Sequence, residues 1–425
     1  MHYPSYPQYK NVDKSDVAKI PIHWKLTRLK FMARIKNGQD YKEVISDVGF
    51  PVIGSGGEFA KASKWLYNGE SVLLGRKGTI DRPLYINGPF WTVDTMFYTV
   101  VEHNVSAKFL YYCALTITFV KFTTSTALPS MTQQDLGAIS FCAPDFDEQQ
   151  SIARFLDYKT AQIDALIAKK QALLEKLAEK RSALISHAVT KGLDPSVSMK
   201  DSGVKWLGEI PYDWTTKRLR FLSTMAGGMT PSTGKPEYWG GDIPWITPKD
   251  MKKEFLSDSI DTLTSEALQD TGIALHESGR VLIVVRGMIL AHTFPVAINT
   301  VPATVNQDMK ALTTSLDNEY LALMLKGIQP LVLSVVEESA HGTKVLRTDI
   351  FKNIRLPVPP PDIQTAIVGK VRAWLTDLDA QKRSIESVMD RLQEYRSALI
   401  TNAVTGKIDV RGFKLPEAAE ETAHA

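Results

Sequence analysis

The side chains best suited to acting on another molecule lie in glycine-bearing turns. In the first 145 residues these are Ser55, Gly56, Lys61, Lys64, the Gly75-Arg76-Lys77-Gly78 turn, and Thr124 within a Thr123-Thr-Ser-Thr126 run. Between 194 and 358 they are Thr230, Ser232, Thr233, Lys235, Thr247, Lys249, Arg286, Asn306, Gln307 and Lys344. Arginine can hold guanine O6 and N7 with two hydrogen bonds, and Asn or Gln can do the same to adenine. Ser, Thr and Lys suit phosphates, and glycine lets a backbone come close. The same residues also suit plain turns between strands. Arg76 and Arg286 stand out, because each ends an apolar strand beside a glycine.

Catalytic signatures are scarce. The sequence has no HExxH, no G-x-S-x-G, no G-x-G-x-x-G after a strand and no Asn/Asp-Pro-Pro-aromatic motif. Gly234-Lys235 is followed by Pro236, which spoils a phosphate loop. One formal nuclease pattern exists, Pro144-Asp145 followed by Asp157-Tyr-Lys159. Its own sequence argues against it, because a repeat places Pro359-Pro360 and Arg372-Ala-Trp374 at those positions.

That repeat organises the chain. Arg181-Ser-Ala-Leu-Ile185 returns 215 positions later as Arg396-Ser-Ala-Leu-Ile400, and the match runs back to Gln149 and Gln364. At an offset of 190, Ile20-Pro21, Trp24, Arg28-Leu29 and Phe31 pair with Ile210-Pro211, Trp214, Arg218-Leu219 and Phe221. The second copy therefore holds 25 extra residues between these anchors. Residues 1–19 read as a polar lead-in, and both Trp24 and Trp214 as core anchors.

Between the anchors the pattern is short and β-like, with strands expected at 51–54, 71–74, 83–86 and 97–101 and a helix at 107–119. A matching helix is expected at 319–325. Two long helices then emerge. The first has apolar residues at Ile152, Leu156, Ile163, Leu166, Leu173, Leu177, Leu184 and Ala188, with gaps at Lys159, Lys170 and Lys180. The second carries Ile367, Val371, Trp374, Leu378, Ile385, Val388, Leu392, Tyr395 and Leu399. Both follow a 3.5-residue seam, and the second has apolar residues where the first has lysines, so the two should pair, antiparallel about a pseudo-twofold axis. The expected class is α+β: mixed α/β globules at 1–145 and 194–358, long helices at 146–193 and 359–411, and a disordered tail at 412–425.

Bulk properties fit that division. A chain of 425 residues, 44% hydrophobic and 23% charged, is long enough for two or more globular cores. No run approaches the ~20 apolar residues of a membrane span, and the first residues lack signal-peptide character, so a cytoplasmic protein is expected. Cys113 and Cys142 have no metal or disulfide spacing and read as packing residues. Residues 1–140 hold 16 Lys and Arg against 11 Asp and Glu, whereas 200–357 hold 17 against 18. The basic first globule hints at a polyanion.

Trp206-Leu-Gly-Glu-Ile-Pro211 with Trp214, Glu148-Gln149 after a proline-bearing strand, and the helix ending Arg181-Ser-Ala-Leu-Ile185 and Ala188-Val-Thr190 resemble the specificity subunit of type I restriction-modification enzymes. The second copy, ending Ala403-Val-Thr-Gly-Lys-Ile-Asp409, resembles that family's distal conserved region. The resemblance implies a non-catalytic subunit with two target-recognition domains, each reading half of a bipartite site in double-stranded DNA. It also implies that the long helices set the spacing between the half-sites. Two methyltransferase subunits carrying S-adenosylmethionine, and ATP- and Mg2+-dependent restriction subunits, would dock on this chain, which itself would hold no cofactor. The departures are Ile363-Gln364 in place of Glu148-Gln149, and a first anchor without Trp-Leu-Gly. Rival readings are a coiled-coil protein whose globules bind other proteins, and a nuclease using Asp145, Asp157 and Lys159.

Overall fold

The computed structural model describes residues 3–12, 17–119 and 129–416. The chain divides into two compact units, residues 1–171 with 386–425, and residues 172–385. Each unit holds one globule together with a segment of each long helix.

In the first unit, apolar runs broken by glycine turns give an antiparallel sheet in the order Leu84–Ile86, Ser71–Gly75, Met96–Val101, Ala33–Asn37. Ser71–Gly75 is buried along its whole length. A second sheet runs Ile45–Ser46, Gly57–Ala62, Phe50–Gly54, Pro89–Thr92, Tyr67–Asn68, with Pro89–Thr92 parallel to Phe50–Gly54. The second unit repeats the plan, ordering Ser223–Gly227, Met309–Thr314, Val281–Val284, Val296–Asn299 and Phe255–Leu256. Beside it lies a three-stranded sheet in which Trp239–Ile246 runs parallel to Thr304–Val305. Most of the extra length lies before Met309 and includes the helix Ser265–Thr271.

Two glycines explain how the sheets join. A Cβ at Gly38 would collide with the Val93 carbonyl, and one at Gly228 with the Val305 carbonyl, so only glycine lets the first strand turn this close to its neighbour. The carbonyl of the next residue is then capped by an indole in both units. Trp91 donates to Gln39 O and Trp245 to Met229 O, each at 3.0 Å, from strands that are not counterparts.

The long helices are Phe146–Lys191 and Pro361–Val404. Asp145 opens the first, its Oδ1 accepting from the Glu148 backbone N–H at 2.9 Å. Gln149 then ties helix to globule: its Oε1 accepts from Ser106 N, the N-cap of Ala107–Ala114, and its Nε2 donates to Pro144 O. Gln364 makes the same two bonds in the second unit, to Asp317 N, the N-cap of Asn318–Gly327, and Pro359 O.

Inside each unit the helix segments run antiparallel. Arg396 grips Asp164 in the first unit, with Nε at 2.9 Å and Nη2 at 3.3 Å, and Arg181 grips Asp379 in the second at 2.7 Å. The repeat offset of 215 converts one pair into the other, so each unit carries the same helix-to-helix contact. Both pairs are partly exposed, so each adds at most about 1 kcal/mol and acts mainly on register.

The seam itself differs from the sequence expectation. Leu166 and Leu173 are 47% and 40% exposed, and Val388 and Tyr395 also face outward. The inward positions are Ile163, Ile167, Lys170, Leu174, Leu177 and Arg181, with Leu378, Ile385, Met389, Leu392 and Arg396 as counterparts of all but Ile167, whose counterpart Lys382 is exposed. Choosing every leucine moved the expected seam one residue off in the middle, where the true seam accepts lysine and arginine. Tyr395 and half-buried Trp374 therefore do not fill the lysine gaps.

Other expectations also shift. Residues 1–19 hold the strand Tyr9–Asn11, paired with Lys19–Pro21, and the second copy repeats this with Met199–Asp201 on Glu209–Pro211. The helix expected at 107–119 closes at Ala114, ahead of the β-branched Thr116-Ile117-Thr118 run. Trp24 and Trp214 are buried anchors, and both cysteines are buried with thiol pKa values pushed up by desolvation, to about 11 for Cys142. Of the expected tail, Phe413 packs edge-on against Phe155, while residues 417–425 lie outside the described ones.

Candidate nucleic-acid interface

Each central sheet has two ends with different neighbours. One end meets the long helices, where Gln149 and Gln364 bond the helix caps. At the other, the first strand leaves the sheet, the central strand begins and the third strand ends, so three loops meet.

In the second unit that end gathers Thr230, Arg286, Gln307 and Lys344. The Asp308 carbonyl receives Val285 N at 2.8 Å and Arg286 N at 3.3 Å, and Gly287 N bonds Lys344 O at 2.9 Å. Thr230 Oγ1 donates to Gln307 Oε1 at 2.6 Å. Arg286 is exposed, and among the described residues its guanidinium makes no ion pair. Lys344 is held by Glu338 at 2.7 Å.

The first unit repeats this frame. The Thr95 carbonyl receives Arg76 N at 2.9 Å and Lys77 N at 3.2 Å, and Gly78 N bonds Pro129 O at 2.9 Å. Lys77 bridges Ser130 as Arg286 bridges Val345. Lys77, not Arg76, is therefore the counterpart of Arg286, and Gly78 (φ +80°) is the counterpart of Gly287 (φ +140°). The sequence pairing of the two arginines is off by one. Arg76 points back instead, its Nη1 donating to Asp94 O at 3.2 Å.

The remaining candidates scatter. Ser55 and Gly56 form the tip of the hairpin Phe50–Gly54/Gly57–Ala62, but Lys61 lies nearer its other end, ion-paired to Glu58 at 2.5 Å. Lys64 is exposed beyond that strand. Thr124 lies outside the described residues. Ser232 and Thr233 are exposed on the loop after Thr230, and Lys235 turns to the Tyr238 hydroxyl at 2.8 Å, a bond that raises its pKa. Two candidates are committed internally. Thr247 is buried with its hydroxyl on Asp250 at 2.8 Å, and buried Asn306 closes a turn by accepting from Asp308 N at 3.1 Å. Lys249, two residues after Thr247, is exposed.

Sequence reasoning missed Asp40 and Asp94, which occupy the frame positions of Thr230 and Gln307. The offset of 190 that aligns Gly38 with Gly228 gives the first of these; the second follows only from the strand register.

The nuclease pattern dissolves on geometry. Asp145 is a helix cap and Asp157 lies 12 residues further on, about 18 Å at 1.5 Å per residue, too far to share a metal ion. Asp157 is also taken up by Lys108 at 2.5 Å and Tyr112 at 2.8 Å. Among the described residues no group of three His, Cys, Asp or Glu is placed to hold a metal, and no helix is long and apolar enough to cross a membrane.

This duplicated architecture defines a class of protein. The chain belongs to the type I restriction modification DNA specificity domain family, matching it twice, over residues 21–176 and 211–387. It is 30% identical over 193 residues to the type I restriction enzyme MjaIX specificity subunit of Methanocaldococcus jannaschii, covering 44% of this chain and 43% of that one. The Escherichia coli EcoR124I/EcoR124II specificity subunit is 30% identical over 215 residues, covering 49% and 51%. The matched part thus spans about half the length of these relatives. The E. coli EcoDI specificity subunit is 21% identical over 420 residues, covering 92% and 90%. A chain solved in work on complex assembly and conformational transition of the type I R-M system shares the fold, with a TM-score of 0.70, 14% identity and coverage of 92% and 99%.

Proposed function

We propose that this chain is the non-catalytic, sequence-specific DNA-binding subunit of a type I restriction-modification complex. Residues 1–145 and 194–358 are its two target-recognition domains, each reading one half of a bipartite site. The helical segments 146–193 and 359–411 set the spacing. The observation that carries this is the shared loop frame at the free end of each central sheet. It presents Lys77 in one unit and Arg286 in the other, while Gln149 and Gln364 fasten the opposite end to the helices.

Methyltransferase and restriction subunits are the expected partners, bringing S-adenosylmethionine, ATP and Mg2+. Two methyltransferase copies fit an apolar feature kept in both units. Phe31 and Phe221, at offset 190, are 65% and 68% exposed, with Lys30 and Arg220 stacked on their rings at 5.0 and 4.8 Å. An exposed phenylalanine retained twice suits two copies of one partner.

The test is base preference on duplex DNA, measured with the methyltransferase subunits present. Lys77→Ala should relax preference in one half-site only and Arg286→Ala in the other, each by about 1–3 kcal/mol. Equal loss on every sequence would make both residues phosphate contacts. Absence of any salt-dependent duplex binding would favour the protein-binding alternative.

A further inference from the structure

The exposed pair Thr230–Gln307 has a geometry that a solvated surface glutamine does not need. Gln307 sits at the apex of a turn fixed from both sides. Asn306 before it is buried, its Oδ1 accepting from Asp308 N at 3.1 Å and its Nδ2 donating to Asp308 Oδ2 at 3.3 Å. Asp308 after it carries Val285 N and Arg286 N on its carbonyl. The turn therefore holds the Gln307 side chain outward beside Arg286.

The amide is then oriented. With Thr230 Oγ1 donating to Oε1 at 2.6 Å, one oxygen lone pair and both N–H donors have no partner among the described residues. Adenine presents an acceptor, N7, beside a donor, the N6 amino group, and an amide fixed this way matches both.

We propose that Gln307, positioned by Thr230, is an adenine-reading side chain of the second unit; this rests on the DNA-reading function proposed above. The first unit supports the assignment by contrast. Its backbone frame is the same, since Val93 N bonds Ile53 O as Asn306 N bonds Ile246 O. At the two side-chain positions it carries Asp94 and Asp40, which only accept. Acceptors suit the cytosine N4 amino group instead. A shared frame whose exposed side chains change chemistry between halves is what two different half-sites require.

The experiment uses the chain with its methyltransferase subunits and a duplex library randomised across the bound region. Gln307→Ala should reduce adenine preference at one base pair of one half-site by about tenfold. Gln307→Glu should shift that position toward cytosine, leaving the other half-site unchanged. Thr230→Val, which keeps the amide but removes its orienting donor, should weaken the same preference, and Thr230→Ser should restore it. An unchanged profile in Gln307→Ala, or a loss spread evenly over all sequences, overturns the assignment while leaving DNA reading intact. A wild-type complex with no sequence preference would instead overturn the underlying function.

Discussion

At the scale of single residues, the two units differ where Glu148 of the first corresponds to Ile363 of the second. Glu148 is buried and accepts three bonds: from the Tyr6 hydroxyl at 2.7 Å, the His23 Nε2 at 2.8 Å and the Trp24 indole at 3.2 Å. Burial and the carboxylate together push the Tyr6 phenol pKa well up. Glu148→Ala would strand the buried Tyr6 and Trp24 donors at about 1–3 kcal/mol each, so a loss near 3 kcal/mol in denaturant unfolding is expected. Ile363→Ala, on a side chain 36% exposed, should cost far less. His276 gives a pH signature. Desolvation, then Arg280, lowers its pKa, and among the described residues its buried Nε2 has no partner. The unfolded chain takes up the proton first, near pH 6.5. Stability should therefore be full above that value and fall as acidification proceeds toward the folded pKa. His276→Leu should flatten unfolding free energy between pH 7 and 5; an unaltered slope would assign it to other groups.

At the scale of elements, the long helices carry a register more than a stability. Their seam accepts Lys170, Arg181 and Arg396, and the two Arg–Asp pairs fix which residues face each other. A seam of period 3.5 tolerates whole heptads. Seven residues inserted after Ala178 and seven after Lys382, at facing positions, should keep the seam and lengthen each helix by about 10.5 Å. The preferred spacer in the DNA target should then grow by about three base pairs, at ~3.4 Å each, with both half-sites unaltered. Methylation mapping reads this directly, and altered half-sites would remove the spacing role. Gln149 and Gln364 matter here too, since a lengthened helix changes spacing only while its end stays pinned to its globule.

At the scale of the whole chain, what could be read from sequence was what repeats. The 215 and 190 offsets located both long helices, the buried Trp24 and Trp214, and the two-globule plan, because duplicated packing preserves residue types. The seam was less legible, since a side chain's direction depends on accumulated helical phase and leucine alone does not mark the interior. The interface was legible only in part. Arg286, Gln307, Thr230 and Lys344 meet through strand register, which sequence does not display, and Thr247 and Asn306 looked available but are spent on Asp250 and Asp308. The lead-in was missed because three-residue strands carry almost no periodicity.

The lead-in strand has a further meaning. Tyr9 donates to Gly406 O at 3.0 Å and Asp409 N to Pro4 O at 2.7 Å, so the segment leaving the second helix rests on the one that opens the first globule. In the second unit, the segment leaving the first helix continues into Met199–Asp201 without a break. Each unit thus ties the exit of a long helix to the entry of its globule, by peptide bonds in the second unit and by hydrogen bonds in the first.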